Sequence, residues 1–240
     1  MINYVATPIY RMDYVDSHND FYIKRDDLFP ISFGGNKARK AVLFYEDINK
    51  KGSDCVVSYG SHSSNHCRVI ANQAARYNLK CHIISPEEDG HPSANGRLIE
   101  LFGATITRCH LSQVSKVIDE KIKELIEKGH KPYFIPGGGH GYIGTKAYVV
   151  AYQEIVAYEK EKGVHFDYIF LATGTGTTQA GLVCGKAVHG DERTIVGISI
   201  ARKNPHGIEV VEKSVIEYLS LTYTDMVHRN INSKDRKSVV

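Results

Sequence analysis

From residue 54 onward, short apolar runs alternate with amphipathic stretches. DCVVS at 54–58 reads as a buried strand, and residues 64–77 carry apolar side chains at 69, 70, 74 and 75, the spacing of a helix face. A strand is expected at 80–85, then a loop marked by Pro86, Gly90 and Pro92, then a helix over 94–102 stopped by Gly103. ATIT at 104–107, a charged amphipathic helix over 112–128 ending at Gly129, and PYFIP at 132–136 continue the alternation. The second half predicts a helix over 142–162, a strand over 167–172, a helix from about Thr178, a strand over 194–200 and a helix near 208–219. Strands separated by helical patterns imply parallel sheets with helices on both faces. KGVHF at 162–166 separates a long helix from a new apolar strand, which marks a domain boundary near 163–166. The first 50 residues lack the alternation and are expected to pack on the second domain.

Composition narrows the classes. The chain has 240 residues, 42% hydrophobic and 24% charged, which suits one or two globular domains and excludes a disordered or collagen-like chain. No apolar run approaches the roughly 18 residues of a spanning helix, and the N-terminus lacks the pattern of a secretory signal, so neither membrane insertion nor export is expected. The net charge of +3 equals that of the last twelve residues, with Arg229, Lys234, Arg236 and Lys237 against Asp235. That makes a basic tail rather than a nucleic-acid stripe. Cys55, Cys67, Cys81, Cys109 and Cys184 are odd in number and none has C-x-x-C spacing, the usage of reduced thiols in a cytoplasmic protein.

Three segments carry candidate chemistry. Lys24-Arg25-Asp26-Asp27-Leu28 runs into Gly34-Gly35-Asn36-Lys37-Ala38-Arg39-Lys40. Asn36 is placed to cap a helix starting at Lys37, and the helix dipole with Arg39 and Lys40 would disfavour protonation of the Lys37 amine, as Schiff-base chemistry requires. The same residues also suit a solvent lysine in a basic turn. In Ser58-Tyr59-Gly60-Ser61-His62-Ser63-Ser64-Asn65-His66-Cys67-Arg68, a strand ends in a Ser-rich loop that opens a helix, an arrangement for anions; simple capping by Ser61, Ser63 or Ser64 explains it equally. His62 and His66 are spaced for a metal, but no third ligand accompanies them and no metal is expected. Thr173-Gly174-Thr175-Gly176-Thr177-Thr178-Gln179-Ala180-Gly181 follows a strand and suits a phosphate nest, without matching an NTP P-loop or a dinucleotide fingerprint. Pro136-Gly137-Gly138-Gly139-His140-Gly141 reads as a mobile or ligand-hugging loop, or as a plain connection.

Taken in order, K-R-D-D-L, G-G-N-K-x-R-K, S-N-H-x-R and T-G-x-G-x-T-Q-A-G resemble the 1-aminocyclopropane-1-carboxylate deaminase / D-cysteine desulfhydrase family over about residues 7–215. That family is part of the fold type II enzymes that use pyridoxal 5′-phosphate (PLP). The resemblance implies an α/β, tryptophan-synthase-β-like fold of two three-layer domains with mainly parallel sheets. Combined with the boundaries read from the chain pattern, the expected domains are residues 1–50, a segment packing on the large domain and carrying the PLP lysine, 51–163, the small domain, 164–220, part of the large domain, and 221–240, a basic tail. The resemblance implies Lys37 as the internal aldimine and proton shuttle, Asn65 on the PLP 3′-oxygen, and Gly174, Thr175, Gly176, Thr177 and Thr178 around the phosphate. Ser63, Ser64 and His66 would meet the substrate, with Ser64 facing its carboxylate and taking part in proton transfer.

The implied activity is elimination from a D-cysteine-type amino acid or deamination of a 1-aminocyclopropane-1-carboxylate-type one. Two departures bear on selectivity: Ser63 stands where the family usually has glutamine, and Gly139-His140 where it usually has a Gly-Ser type loop. Family members also run longer, with further large-domain elements that supply the group at the pyridine nitrogen and a substrate tyrosine; neither Tyr218 nor Tyr223 is assigned that role. Large-domain surface left uncovered for this reason implies a homo-oligomer, expected as a dimer, and leaves a catalytically impaired PLP-binding paralogue as the alternative.

Overall fold

The computed structural model describes residues 5–13, 18–87, 93–200 and 202–223. The Gly90–Pro92 part of the expected loop and nearly all of the basic tail lie outside them. The elements run β1 (Ile9–Arg11), β2 (Tyr22–Lys24), α1 (Asn36–Lys51), β3 (Cys55–Tyr59), α2 (Asn65–Arg76), β4 (Lys80–Pro86), α3 (Ala94–Leu101), β5 (Thr105–Cys109), α4 (Val114–Glu127), β6 (Pro132–Ile135), α5 (Tyr142–Lys162), β7 (Tyr168–Thr173), α6 (Thr177–His189), β8 (Thr194–Ser199) and α7 (His206–Thr222). No described helix is long and apolar enough to cross a membrane.

The chain divides into two compact units, a central one over Pro30–Gly139 and a terminal one made of the chain up to Phe29 and from His140 on. These divisions differ from the expected boundaries at 50 and 163. The helix carrying Lys37, α1, belongs to the central unit because it packs on α2, where Tyr45 Oη donates to Ile70 O at 2.8 Å. The long helix α5 belongs to the terminal unit because its principal packing partner is α6.

In the central unit four parallel strands lie in the order β5-β4-β3-β6. Strand alternation sorts the side chains between the two faces. Cys55 and Val57 join Ile84, Cys109, Val114 and Leu125 in a core cluster against α4, while Ser58, the next residue along β3 and pointing the other way, bonds His66 of α2. Helices α2 and α4 therefore cover opposite faces, and buried runs such as CVVSY are the consequence.

In the terminal unit β7 and β8 pair in parallel, and β1 and β2 form an antiparallel pair. The approach of α6 to α5 is set by two glycines one turn apart. A Cβ at Gly181 would lie 2.4 Å from Tyr148 Cβ, and one at Gly185 2.4 Å from Tyr152 Cβ. Gly181→Ala is expected to cost about 1–3 kcal/mol through overpacking, read as a lower urea midpoint at unchanged slope.

The K-R-D-D-L segment, read from sequence as chemistry, fastens the N-terminal strands to α5. Lys24 Nζ meets Glu154 Oε2 at 2.5 Å, Thr7 Oγ1 donates to Asp26 Oδ1 at 2.8 Å, and Tyr148 Oη donates to Asp26 Oδ2 at 2.7 Å. Arg25 pairs locally with Asp27 at 2.7 Å.

One face of the β7–β8 sheet is covered by α6. On the other, Tyr168, Phe170 and Ile198 are 59%, 63% and 55% exposed, so among the described residues this sheet carries helices on one face only.

Candidate functional site

Lys37 is the second residue of α1, and the helix begins one residue earlier than expected. Gly35, at φ 86°, is the cap, Asn36 is already helical, and no side chain caps the end. Asn36 is therefore not the cap that the sequence suggested. The Lys37 amine has its pKa lowered by burial, so desolvation rather than the neighbouring cations is the cause. Lys40, one turn on, is 1% exposed and lies more deeply; its Nζ donates to Gly138 O at 3.5 Å. Its pKa is pushed well down by burial and then by the charge of Lys37. Two non-glycine residues before the helix, Ser32 at φ 43° and Phe33 at φ 62°, occupy the left-handed region, a costly conformation concentrated at functional loops.

The second segment folds as a turn from β3 into α2. Ser64 is the cap: its Oγ accepts from Cys67 N at 3.2 Å. Ser63 and Asn65 are exposed beside it, and Asn65 Oδ1 accepts from Asn95 Nδ2 at 3.1 Å. His66 is turned inward, which differs from the expected substrate contact. It is 3% exposed, with Nε2 2.9 Å from Ser58 Oγ. Ser58 uses its one proton on Ile135 O at 2.8 Å, so Nε2 must be the donor toward it. The ring locks α2 to the sheet. Alternation along α2 could have revealed this, since His66 shares its buried face with Val69, Ile70 and Gln73.

The third segment lies in the terminal unit and is described there by itself. Thr173 ends β7, Gly174 and Thr175 make the turn, Gly176 at φ 82° caps α6, and Thr177 opens it. No side chain caps this helix, which leaves its first N–H groups for another acceptor. Thr173 Oγ1 and Thr177 Oγ1 are buried without a hydrogen-bond partner. Buried hydroxyls seldom go unsatisfied, so their grouping at an uncapped helix N-terminus fits an anion such as the PLP phosphate. Arg202, after β8, donates to Gly174 O and fixes the turn from outside.

The glycine loop after β6 is packed rather than open. A Cβ at Gly137 would lie 2.8 Å from the Tyr59 ring, and one at Gly139 3.3 Å from the Phe44 ring. Tyr218 is 4% exposed and stacks on Tyr142 with centroids 5.0 Å apart.

At the opposite end of β3, Asp54, Cys55 and His130 offer ligand atoms within 4.8 Å of one another. These groups are already engaged: His130 Nδ1 lies 3.0 Å from Asp54 Oδ2 and its Nε2 3.3 Å from the Lys80 ammonium, and Lys131 N donates to Asp54 Oδ1 at 2.8 Å. All five cysteines are buried and unpaired, with burial pushing Cys67 and Cys81 up to about 12.

The chain matches the family described as pyridoxal-phosphate dependent enzyme over residues 2–227. It is 30% identical over 228 residues to a D-cysteine desulfhydrase of Serratia proteamaculans, covering 90% of this chain and 69% of that one. It is 35% identical over 213 residues to a 1-aminocyclopropane-1-carboxylate deaminase of a Methylobacterium species, covering 82% of this chain and 63% of that one. The chain thus spans about two thirds of the length of these relatives. Among solved structures, an ACC deaminase homologue superposes with a TM-score of 0.82 at 32% identity, over 90% of this chain and 67% of that one. With a match that runs over nearly its whole length, the chain belongs to the pyridoxal-phosphate dependent enzyme family.

Proposed function

We propose that this chain is a PLP-dependent lyase or deaminase acting on a small amino acid, by D-cysteine-type elimination or 1-aminocyclopropane-1-carboxylate-type deamination. The observation that carries the reading is the Lys37 amine near the start of α1, its pKa lowered by desolvation, in a chain of this family. When bound, PLP supplies an electron sink for negative charge on the substrate carbon. Lys37 would hold the cofactor through its amine and, once released, carry a proton to or from that carbon. Asn65 would donate to the phenolic oxygen. Gly174, Thr175, Gly176, Thr177 and Thr178 would bind the phosphate through the N–H groups that open α6 and the threonine hydroxyls. Ser64, at the N-terminus of α2, would hold the substrate carboxylate with help from the helix dipole, and Ser63 would border it.

The test is to titrate the protein with PLP, record the visible spectrum before and after D-cysteine, reduce with borohydride and map the modified peptide. A pyridoxyl group on Lys37 and release of a 2-oxo acid are expected. Modification elsewhere sinks the site, and a bound but inert cofactor favours the impaired paralogue.

The open face of the β7–β8 sheet supports assembly with a second copy, because apolar patches of this kind mark association surfaces. Light scattering should report a dimer, and Phe170→Glu should shift it toward monomer; a wild-type monomer at micromolar concentration overturns the assembly. The reduced, buried cysteines suit a cytoplasmic setting.

A further inference from the structure

The loop that carries Ser63 and Asn65 is held from outside by α3. Ser93 Oγ donates to His62 O at 2.9 Å, and Asn95 Nδ2 donates to Ser63 O at 2.7 Å and to Asn65 Oδ1 at 3.1 Å. Behind Asn95 stands Arg68. Its Nη1 donates to Asn95 Oδ1 at 3.0 Å, its Nη2 donates to Ser32 O at 3.0 Å, and its guanidinium lies 5.3 Å from the centroid of the Phe33 ring. One arginine thus joins the strained loop before Lys37 to the amide that borders Asn65.

The direction of every bond in this chain is forced. A guanidinium only donates and a peptide carbonyl only accepts. Asn95 must therefore turn its oxygen to Arg68 and its NH2 to Ser63 O. The second hydrogen of that NH2 needs an acceptor, so Asn65 must present its oxygen to Asn95. The NH2 of Asn65 is then turned the other way, ready to donate.

We propose that Asn95, oriented by Arg68, is a positioning residue that sets the amide of Asn65 with its donor toward the phenolic oxygen of PLP. This inference rests on the role given to Asn65 above. Without Asn95 the Asn65 amide loses the contact that distinguishes its two ends, and the flipped form would set an oxygen against an oxygen.

Asn95→Asp keeps the size and the acceptor for Arg68 but removes both N–H donors. In the full-length protein its PLP dissociation constant is expected to rise about tenfold, the scale of one hydrogen bond, with intensity moving from the visible band of bound PLP to the near-ultraviolet one. Asn95→Ala, which removes donor and acceptor together, is the second variant and should show the same spectral change; thermal unfolding without PLP establishes that each variant is folded.

The decisive comparison is the double variant. In an Asn65→Ala background, Asn95→Asp should add nothing to the loss of affinity, because Asn95 acts through Asn65. Additive losses, or unchanged affinity and spectrum in Asn95→Asp while Asn65→Ala weakens binding, overturn the inference. Unchanged PLP binding and spectrum in Asn65→Ala would instead remove the role of Asn65, and the inference with it.

Discussion

Lys37→Ala is expected to lower kcat/KM for D-cysteine or 1-aminocyclopropane-1-carboxylate by roughly 10³-fold or more, the scale of a lost proton-transferring group. The same variant should lose the borohydride-fixed label while its fold, followed by circular dichroism, is unchanged. The pH dependence carries a sign. Burial lowers the pKa of Lys37, so the neutral, reactive amine prevails at lower pH than in a free lysine. The rate of cofactor capture by the unliganded protein should therefore reach its plateau below the pH at which free lysine does. A plateau at or above that pH would show the amine to be solvated. Lys40 is the informative control, because it is the more deeply buried amine on the same helix and also has a lowered pKa. A label found on Lys40 would move the covalent site one turn along α1 and overturn the assignment.

Arg193→Ala should have the largest effect on stability, about 3–5 kcal/mol, because it strands a buried carboxylate. The Arg193 side chain is 2% exposed and grips Glu159 with two bonds of 3.1 and 2.7 Å. It also reaches Asp191 Oδ1 at 3.2 Å and lies 5.0 Å from the centroid of the Tyr152 ring, whose hydroxyl donates to Asp191. The group joins the turn after α6 to α5. Urea unfolding of Arg193→Ala should show a large drop in midpoint at constant slope. Replacing both partners, Arg193→Met with Glu159→Gln, should cost clearly less than Arg193→Ala, since no unpaired charge remains. If the double variant is as unstable as the single one, the pair is not the source of the effect.

The limits of what local sequence shows are plain at particular residues. Lys24 and Asp26 looked like chemistry because charged residues stood together, yet their partners Glu154 and Tyr148 lie more than a hundred positions away. The resemblance places His66 against the substrate, but Ser58 claims it through the packing of α2 on the sheet. Asn95 is illegible in the sequence for the opposite reason: an asparagine near a helix start has many ordinary uses, and nothing local ties it to Asn65. The unit boundaries moved because periodicity identifies helices but not what they pack against.

Periodicity and turn chemistry determined the order and type of the elements from 54 to 222, since strands alternate with period 2 and helices bury one stripe, and both signals are local. Motif spacing likewise marked Lys37, the Ser64-Asn65 turn and the 173–178 turn. Only the tertiary structure decided which unit holds α1 and α5, which polar side chains are structural, and which face of Asn65 is turned outward. Those outcomes depend on contacts between residues distant in the chain, where burial and the one-way donors of arginine and peptide carbonyls select a single arrangement.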